Sequence, residues 1–407
     1  MKDKLPYLYL YTVFSLTFLG IIYWPGLGLT ARYLGWGLGL LLPVLIAPSF
    51  FKQRSFFFLI VYAIVVYLNY LTGDSYFSSS KKVIDGLVAL YIPLGMTYYA
   101  VKSNNMNWMR AVFFVAIIVI VWMTIATALF DMQIPGVVRY IHVELQEGSA
   151  DISEYKNFYA FGMSNYLLPH AIPALIPVFA IRLRQRGISF RKKIVSFALL
   201  LSIMMLLYFS GATGPLLVGI GILLLSLWLK PGKTSTNIVS TFLLVLILLP
   251  LLLSDEIMLN FLKKIDDFIG NDNYFHAKII AFQESIHFGK AAGDIGSRQD
   301  LYSLDIQRFF DNIIIGTQKE IGGHSALLGR LSSLGLVGFI PYIMILYEQA
   351  KVSVKIIPSQ YRSYYYVGTL AAIMMILTKA IASWEVYICW FTLLPIGILS
   401  IVSEKET

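Results

Sequence analysis

Long, nearly uninterrupted apolar runs recur along this chain, and they limit its possible folds more than any other feature. The run at residues 108–130, WMRAVFFVAIIVIVWMTIATALF, carries a single charge, on Arg110. About 20 apolar residues in a helix span the hydrocarbon core of a bilayer. Charged residues make up only 14% of the chain and hydrophobic residues 57%, whereas about a quarter of the residues in soluble domains are charged. We therefore predict an all-α, polytopic membrane protein.

Twelve membrane spans are predicted from these runs. They cover residues 6–24, 33–50, 55–71, 83–101, 108–130, 161–181, 194–211, 213–230, 237–254, 324–347, 363–380 and 384–402. Within the span 161–181, Pro169, Pro173 and Pro177 remove backbone donors at regular intervals, which predicts a bent helix. The sequence contains no internal repeat, and we expect residues 1–407 to form one transmembrane domain.

The charges of the loops predict which ends of the spans face the cytoplasm, because Lys and Arg near span ends remain inside. The loop 182–193 contains six basic residues and no acidic residue. The loop 131–160 contains two bases and five acids, and the loop 255–322 contains seven bases and eleven acids. We therefore predict cytoplasmic termini, with 131–160 as a smaller and 255–322 as a larger external loop. The net charge of +9 reflects this orientation, and we expect no nucleic-acid partner.

Few residues of the chain carry recognisable chemistry. The sequence contains no GxGxxG, Walker A, HExxH or GxSxG motif. The five histidines are scattered at positions 142, 170, 276, 287 and 324, and the one cysteine, Cys389, lies in an apolar run. These features predict no metal centre, no cofactor and no ATP-driven step within this chain.

The strongest candidate site lies at the start of the predicted span 324–347. Gly323 and the glycine before it allow a bound group to approach the backbone ahead of His324. Ser325 is placed to cap the following helix, whose N-terminus suits a phosphate. Arg330 lies two turns further on, and arginines inside a membrane are costly and usually functional. The alternative is an ordinary helix start, with an interfacial histidine and an arginine that snorkels to the surface.

A second candidate lies in the larger loop, where a helix is predicted at roughly residues 299–311. In such a helix Arg298, Tyr302 and Asp305 share one face. The planar fork of an arginine suits a pyrophosphate. The alternative is a solvated loop helix in which Arg298 pairs with Asp294 or Asp305.

A third candidate is Arg139 in the smaller loop. It is one of two basic residues there, together with Lys156, among five acids. An arginine in this position either faces a phosphate group of a substrate or pairs with Glu144 or Glu154. The sequence leaves both interpretations open.

Two stretches, SRQDLYSLDIQRFFDNIIIGT at 297–317 and GGHSALLGRLSSLGLVGF at 322–339, resemble the Wzy-type O-antigen and capsule polymerases and the related O-antigen ligases. In that superfamily an arginine opens a loop helix and a glycine turn follows. A histidine then precedes a leucine-rich helix that ends in Gly-Leu-Val-Gly. The matching residues here are Arg298, Gly316, His324 and the four residues that begin at Gly335.

The resemblance implies a metal-independent glycosyltransferase of GT-C-like fold in the bacterial inner membrane. Its substrates would be undecaprenyl-pyrophosphate-linked oligosaccharide repeats, joined on the outer side, with undecaprenyl pyrophosphate leaving. It implies catalytic roles for His324, which would take a proton or hold the donor phosphate, and for Arg298, which would neutralise the pyrophosphate. The residues expected to bind substrate are Arg330, Arg139, Tyr302, Gly323 and Ser325. Membrane lipids and a chain-length regulator protein are the further partners it implies.

Two alternative functions fit the same pattern. An O-antigen ligase would transfer finished polymer to lipid A-core, although ligases more often have His-Asn where this chain has His324-Ser325. A flippase or transporter for the same lipid carriers would also have many spans and intramembrane basic residues. It would not need a long ordered loop that brings Arg298 close to His324.

Overall fold

The computed structural model describes residues 28–72, 80–103, 106–141, 157–159, 161–230, 255–269, 274–288, 293–318, 325–378 and 384–402, together with residues 9, 12 and 13. All regular secondary structure in these residues is helical. The predicted span 237–254 lies wholly outside them, and so does most of the predicted span 6–24. The predicted all-α class is confirmed for the described part of the chain.

The main helices of the described residues are numbered here in chain order. They are α1 (Gly28–Ile46), α2 (Arg54–Leu71), α3 (Ser80–Ser103), α4 (Met106–Asp131), α5 (Leu168–Ala171), α6 (Ile176–Arg184), α7 (Phe190–Phe209), α8 (Thr213–Trp228), α9 (Asp255–Ile269), α10 (Tyr274–Phe288), α11 (Gly293–Asp311), α12 (Ala326–Ile356), α13 (Arg362–Thr378), α14 (Trp384–Tyr387) and α15 (Leu394–Val402). A 3-10 turn, Ile172–Leu175, joins α5 to α6, and a π-helical turn, Ile388–Leu393, joins α14 to α15.

Several described helical segments are long and apolar enough to cross a membrane. These six are Arg54–Leu71, Val83–Ala100, Asn107–Asp131, Phe190–Phe209, Ala326–Ile356 and Glu385–Val402. Two shorter apolar helices, Tyr33–Ile46 and Thr213–Trp228, coincide with further predicted spans. The chain is therefore a multi-pass, membrane-embedded helical protein, and the number of twelve spans stays a prediction.

The last span occupies the centre of the bundle. The whole of Glu385–Val402 is buried inside the protein, compared with 28% of Arg54–Leu71 and 28% of Phe190–Phe209. The two peripheral helices instead expose large apolar side chains such as Phe57 and Phe197. An apolar surface of this kind is stable where it faces lipid, so α2 and α7 lie at the lipid boundary.

The proline-rich span begins later than the sequence predicts. Residues 161–167 form no continuous helix, because the Asn165 side chain starts the helix further on. Its Oδ1 atom accepts the backbone N–H groups of Leu167 and Leu168 at 3.0 and 2.8 Å. Each of the three prolines then falls near the start of α5, the 3-10 turn or α6, where a missing N–H breaks no helical bond. The prolines thus divide this segment into α5, a 3-10 turn and α6, and the helix begins at Leu168, later than the approximate start of the predicted span at 161.

Helices of the larger loop pack on one another and on the bundle. His276 Nδ1 of α10 lies 2.6 Å from Asp266 Oδ1 of α9, which joins these two helices. The buried ring of Phe275 stacks on Tyr208 at the end of α7, with 5.7 Å between ring centroids. The loop helix predicted at 299–311 is confirmed as α11, which begins six residues earlier, at Gly293. This loop is therefore a folded part of the protein.

Candidate functional site

The helix α12 is broken at Gly335, and the chain that follows α11 fills the break. Gly335 has φ 56° and ψ −164°, a conformation that is available essentially only to glycine. The backbone N–H of Leu336 donates to the carbonyl of Ile313 at 2.9 Å. The next N–H, of Val337, donates to the carbonyl of Ile314 at 3.1 Å. Backbone from the loop thus replaces the preceding helical turn as the hydrogen-bond acceptor.

The inserted loop, residues 312–318, also donates hydrogen bonds to the carbonyl groups that the break leaves without helical donors. Thr317 N–H donates to the carbonyl of Ser332 at 2.9 Å. Gln318 N–H donates to the carbonyl of Ser333 at 3.0 Å. In an uninterrupted helix these carbonyls would accept from the residues four positions later. Because every backbone polar group in a membrane needs a partner, the break and the inserted loop stabilise each other.

Two glycines permit this close contact. A Cβ atom on Gly316, where φ is 71°, would lie 2.4 Å from the carbonyl oxygen of Ser333. A Cβ atom on Gly335 would lie 2.4 Å from the backbone nitrogen of Gly316. Both clashes are with backbone atoms, so no side-chain rotation relieves them. The two glycines that carry the family resemblance therefore lie in direct contact.

The first helical turn of α12 is capped by Ser325, as the sequence predicts. Ser325 is buried, and its Oγ atom accepts the backbone N–H of Leu328 at 3.1 Å. The positive end of the helix dipole and its remaining N–H groups lie at this point, which we call the mouth of α12. His324 and Gly323, immediately before it, lie outside the described residues, and their roles stay predictions.

The Arg330 side chain is buried and reaches back toward the mouth of α12. Its Nη1 atom donates to the carbonyl of Ala326, one turn earlier, at 3.1 Å. Its Nε atom donates to the hydroxyl of Tyr62 on α2 at 3.1 Å. The guanidinium carbon lies 4.5 Å from the centre of the Tyr342 ring, which adds a cation–π contact. With only 6% of the residue exposed, the guanidinium does not snorkel to the protein surface.

Three tyrosines surround this arginine and connect three helices. The hydroxyls of Tyr342 on α12 and Tyr387 on α14 are 2.6 Å apart. The rings of Tyr62 and Tyr342 are 5.6 Å apart, centroid to centroid. We call Arg330 and these three tyrosines the Arg330 cluster. Tyr387 directly precedes the π-helical turn Ile388–Leu393, and such turns occur frequently at functional sites.

Asp305 forms the side-chain contact between α11 and α12. Ser332 Oγ donates to Asp305 Oδ1 at 3.3 Å and also lies 3.2 Å from the carbonyl oxygen of Gly329. Asp305 is 1% exposed, and its other oxygen, Oδ2, is buried with no hydrogen-bond partner. Burial raises the pKa of this carboxyl, while the Ser332 hydrogen bond and the charge of Arg308 lower it to a smaller extent.

Arg298 lies in the second turn of α11, the helix whose Asp305 contacts Ser332 of α12. The predicted approach of Arg298 to the mouth of α12 stays a prediction. The side chain of Arg298 lies outside the described residues.

Two further predicted site residues, Tyr302 and Arg139, are half-buried. Tyr302 lies on α11, one turn before Asp305. Val137 and Val138, the neighbours of Arg139, pack with Ala212 in a hydrophobic cluster that is separate from the main core. The predicted roles of Tyr302 and Arg139 in substrate binding stay predictions.

Sequence reasoning missed the tyrosines of the Arg330 cluster and the burial of Asp305. Tyr62 and Tyr387 lie far from Arg330 in the sequence, on helices whose apolar composition resembles that of every other span. The one available signal was the pair Gly316 and Gly335, since glycines permit close backbone contact. The sequence did not show which segments they contact. Comparisons with protein-family models and with curated proteins find no match to this chain.

Proposed function

We propose that this protein is a polymerase that joins undecaprenyl-pyrophosphate-linked oligosaccharide repeats on the outer side of the bacterial inner membrane. The observation that carries the proposal is the position of the Arg330 guanidinium, which hydrogen-bonds within the first turn of α12. The capped helix start and this buried positive charge suit a pyrophosphate, the leaving group of the reaction. The family resemblance points to the same chemistry.

The broken helix supports the proposal because it docks the loop that carries Arg298. Four backbone hydrogen bonds hold the inserted loop against α12, and the Asp305–Ser332 contact joins α11 to α12. We propose that α11 also brings Arg298 to the mouth of α12. Two arginines and a helix N-terminus would then offset the charge that develops on a departing pyrophosphate. Electrostatic stabilisation of this kind is commonly the largest contribution to catalysis.

The proposed reaction transfers a glycosyl group without a metal or a cofactor. A hydroxyl of the incoming repeat attacks the anomeric carbon of the growing chain, and a new glycosidic C–O bond forms. The bond from that carbon to the pyrophosphate oxygen breaks, and undecaprenyl pyrophosphate leaves with the electron pair. His324 takes the proton of the attacking hydroxyl or holds the donor phosphate. Arg298 and Arg330 stabilise the negative charge of the leaving group.

Surface polysaccharide of cells that express the His324→Ala variant tests this proposal against its alternatives. A failed polymerase still leaves single repeats for a separate ligase, so we expect core carrying one repeat at a normal protein level. Bare core with carrier-linked polymer would identify a ligase. Bare core with carrier-linked single repeats inside the cell would identify a flippase. The control His276→Ala removes a loop histidine that pairs with Asp266, and we expect it to preserve the long-chain ladder.

A further inference from the structure

A long apolar groove lies on the outside of the bundle between α4 and α7. It has a volume of about 800 Å³, and Phe179 of α6 and Ser400 of α15 contribute to its lining. The lining side chains Phe114, Ile118 and Val195 are each more than half exposed on the protein surface. None of the residues that line the groove belongs to the Arg330 cluster. The groove is therefore a second concave feature, separate from the proposed active site.

Two arginines line the groove at the same end. Arg110 lies in the second turn of α4, and Arg182 lies in the last turn of α6. Ser400, beside them in the lining, is near the end of α15. Both arginines are half-buried, and no acidic residue is among the described residues that line the groove. This end adjoins the basic loop 182–193, which the sequence assigns to the cytoplasmic face.

The groove is long enough to hold a hydrocarbon chain. Along α4 it extends from Arg110 to Ile125, which corresponds to about 22 Å at 1.5 Å per residue. The hydrocarbon core of a bilayer is about 30 Å thick, so the groove passes the middle of the membrane. Trp122 lies toward its far end, where the indole Nε1 donates to the carbonyl of Phe161 at 2.9 Å. The groove thus has a cationic end and an apolar remainder.

We propose that this groove binds an anionic phospholipid of the cytoplasmic leaflet, with its phosphate between Arg110 and Arg182 and an acyl chain along α4 and α7. Charge complementarity carries this assignment, because arginine forks match phosphate oxygens and the apolar walls match an acyl chain. The lipid is a structural ligand. The predicted orientation of the spans puts its site at the opposite end of the bundle from the proposed pyrophosphate site, and this inference does not depend on the proposed polymerase activity.

Thermal unfolding of the purified protein in non-ionic detergent tests the proposal. We expect added long-chain phosphatidylglycerol to raise the midpoint, and phosphatidylcholine with the same chains to raise it much less. The variant Arg110→Gln/Arg182→Gln should lose this difference between the lipids. The control Arg186→Gln/Arg191→Gln removes two exposed charges from the adjoining loop and should retain it. An equal response of the groove variant and the control would overturn the proposal.

Two further ligands in the same experiment distinguish a bound phospholipid from other sources of phosphate. Dihexanoyl phosphatidylglycerol, which has the headgroup without long chains, should give no shift in the midpoint. A shift with undecaprenyl phosphate but not with phosphatidylglycerol would show that the occupant is the carrier lipid and would contradict the assignment.

If the arginine variant does not fold, a bulky substitution within the groove replaces it. Ile118→Trp fills the groove and keeps both arginines, and Leu129→Trp places the same side chain on an exposed part of α4 outside it. We expect native mass spectrometry to detect bound phosphatidylglycerol in Leu129→Trp but not in Ile118→Trp. Equal retention of the lipid in both variants would place the binding site elsewhere.

Discussion

Two apolar segments of this protein are interrupted, one by prolines and one by a glycine. Between α5 and α6 the prolines bring no N–H group of their own, and the segment bonds within itself, as where Ile176 N–H donates to the carbonyl of Pro173. At Gly335 the break leaves both donors and acceptors open, and the inserted loop satisfies them. The proline break therefore contains a hydrogen bond of its own, whereas the glycine break is closed by hydrogen bonds from the inserted loop.

The two breaks also differ in the ionisable side chains around them. Residues 168–181 contain one ionisable side chain, His170, which is buried with its Nδ1 atom 2.9 Å from the carbonyl oxygen of Tyr166. The glycine break is flanked by Arg330 on one side of α12 and by Asp305 on another. The comparison indicates that the proline break shapes the bundle, while the glycine break fixes the inserted loop beside a buried charge.

The largest effect is expected from Gly335→Ala. A Cβ atom would clash with backbone atoms of the inserted loop, and the conformation itself costs a non-glycine residue about 1–3 kcal/mol. We expect both the thermal midpoint and polymer formation to fall sharply. Gly214→Ala is the matched control, because a Cβ atom there has nothing within 4 Å. If Gly335→Ala behaved like this control, the close contact at Gly335 would not be what holds the inserted loop against α12.

The second largest effect is expected from Arg330→Gln, which removes the buried charge from the mouth of α12. If this charge stabilises the leaving pyrophosphate, polymerisation should slow by about 10²–10³-fold. Arg330→Lys should recover part of the rate, since it keeps the charge and loses the fork. Tyr62→Phe removes one hydrogen bond from the same guanidinium and should cost far less. Normal rates for Arg330→Gln protein that elutes as folded material would separate the cluster from catalysis.

A smaller effect is expected from pH at the contact between α11 and α12. The pKa of Asp305 is raised in the folded protein, so folding is favoured while the carboxyl is protonated. This contribution is complete below the ordinary pKa of about 4 and is lost as pH rises through the raised pKa. Asp305→Asn should remove this part of the pH dependence of the thermal midpoint. Asp311→Asn, at an exposed position on the same helix, is the matched control for the loss of a carboxylate.

The smallest effect is expected from Pro173→Ala in the proline break. The new N–H group can join the helical hydrogen bonds of its own segment, and no charged group lies nearby in the sequence. We expect a normal rate of polymerisation in the assay used for Gly335→Ala. A loss of activity as large as that of Gly335→Ala would mean that the two breaks are equivalent and that their difference has no functional meaning.

The features that the sequence predicted correctly depend on local patterns. Apolar runs mark the described spans, the prolines mark an interruption of a helix, and Ser325 is predicted as a cap from its position before an apolar helix. The docking of the inserted loop into the broken helix could not be predicted, because it depends on backbone hydrogen bonds between that loop and α12. The sequence places Asp305 on a loop helix and leaves its exposure open, since its burial depends on how α11 docks. Contacts between distant segments thus account for what the sequence did not predict.

The most direct test of the proposed function is a reaction with purified components. Wild-type protein in detergent is incubated with undecaprenyl-pyrophosphate-linked repeats and excess EDTA, and the products are separated by size. A polymerase whose site consists of the mouth of α12, Arg298 and Arg330 should produce a ladder of lengthening chains without a divalent ion. It should also release undecaprenyl pyrophosphate with each step. Unchanged single repeats, or a ladder that forms only when a divalent ion is restored, would contradict this account.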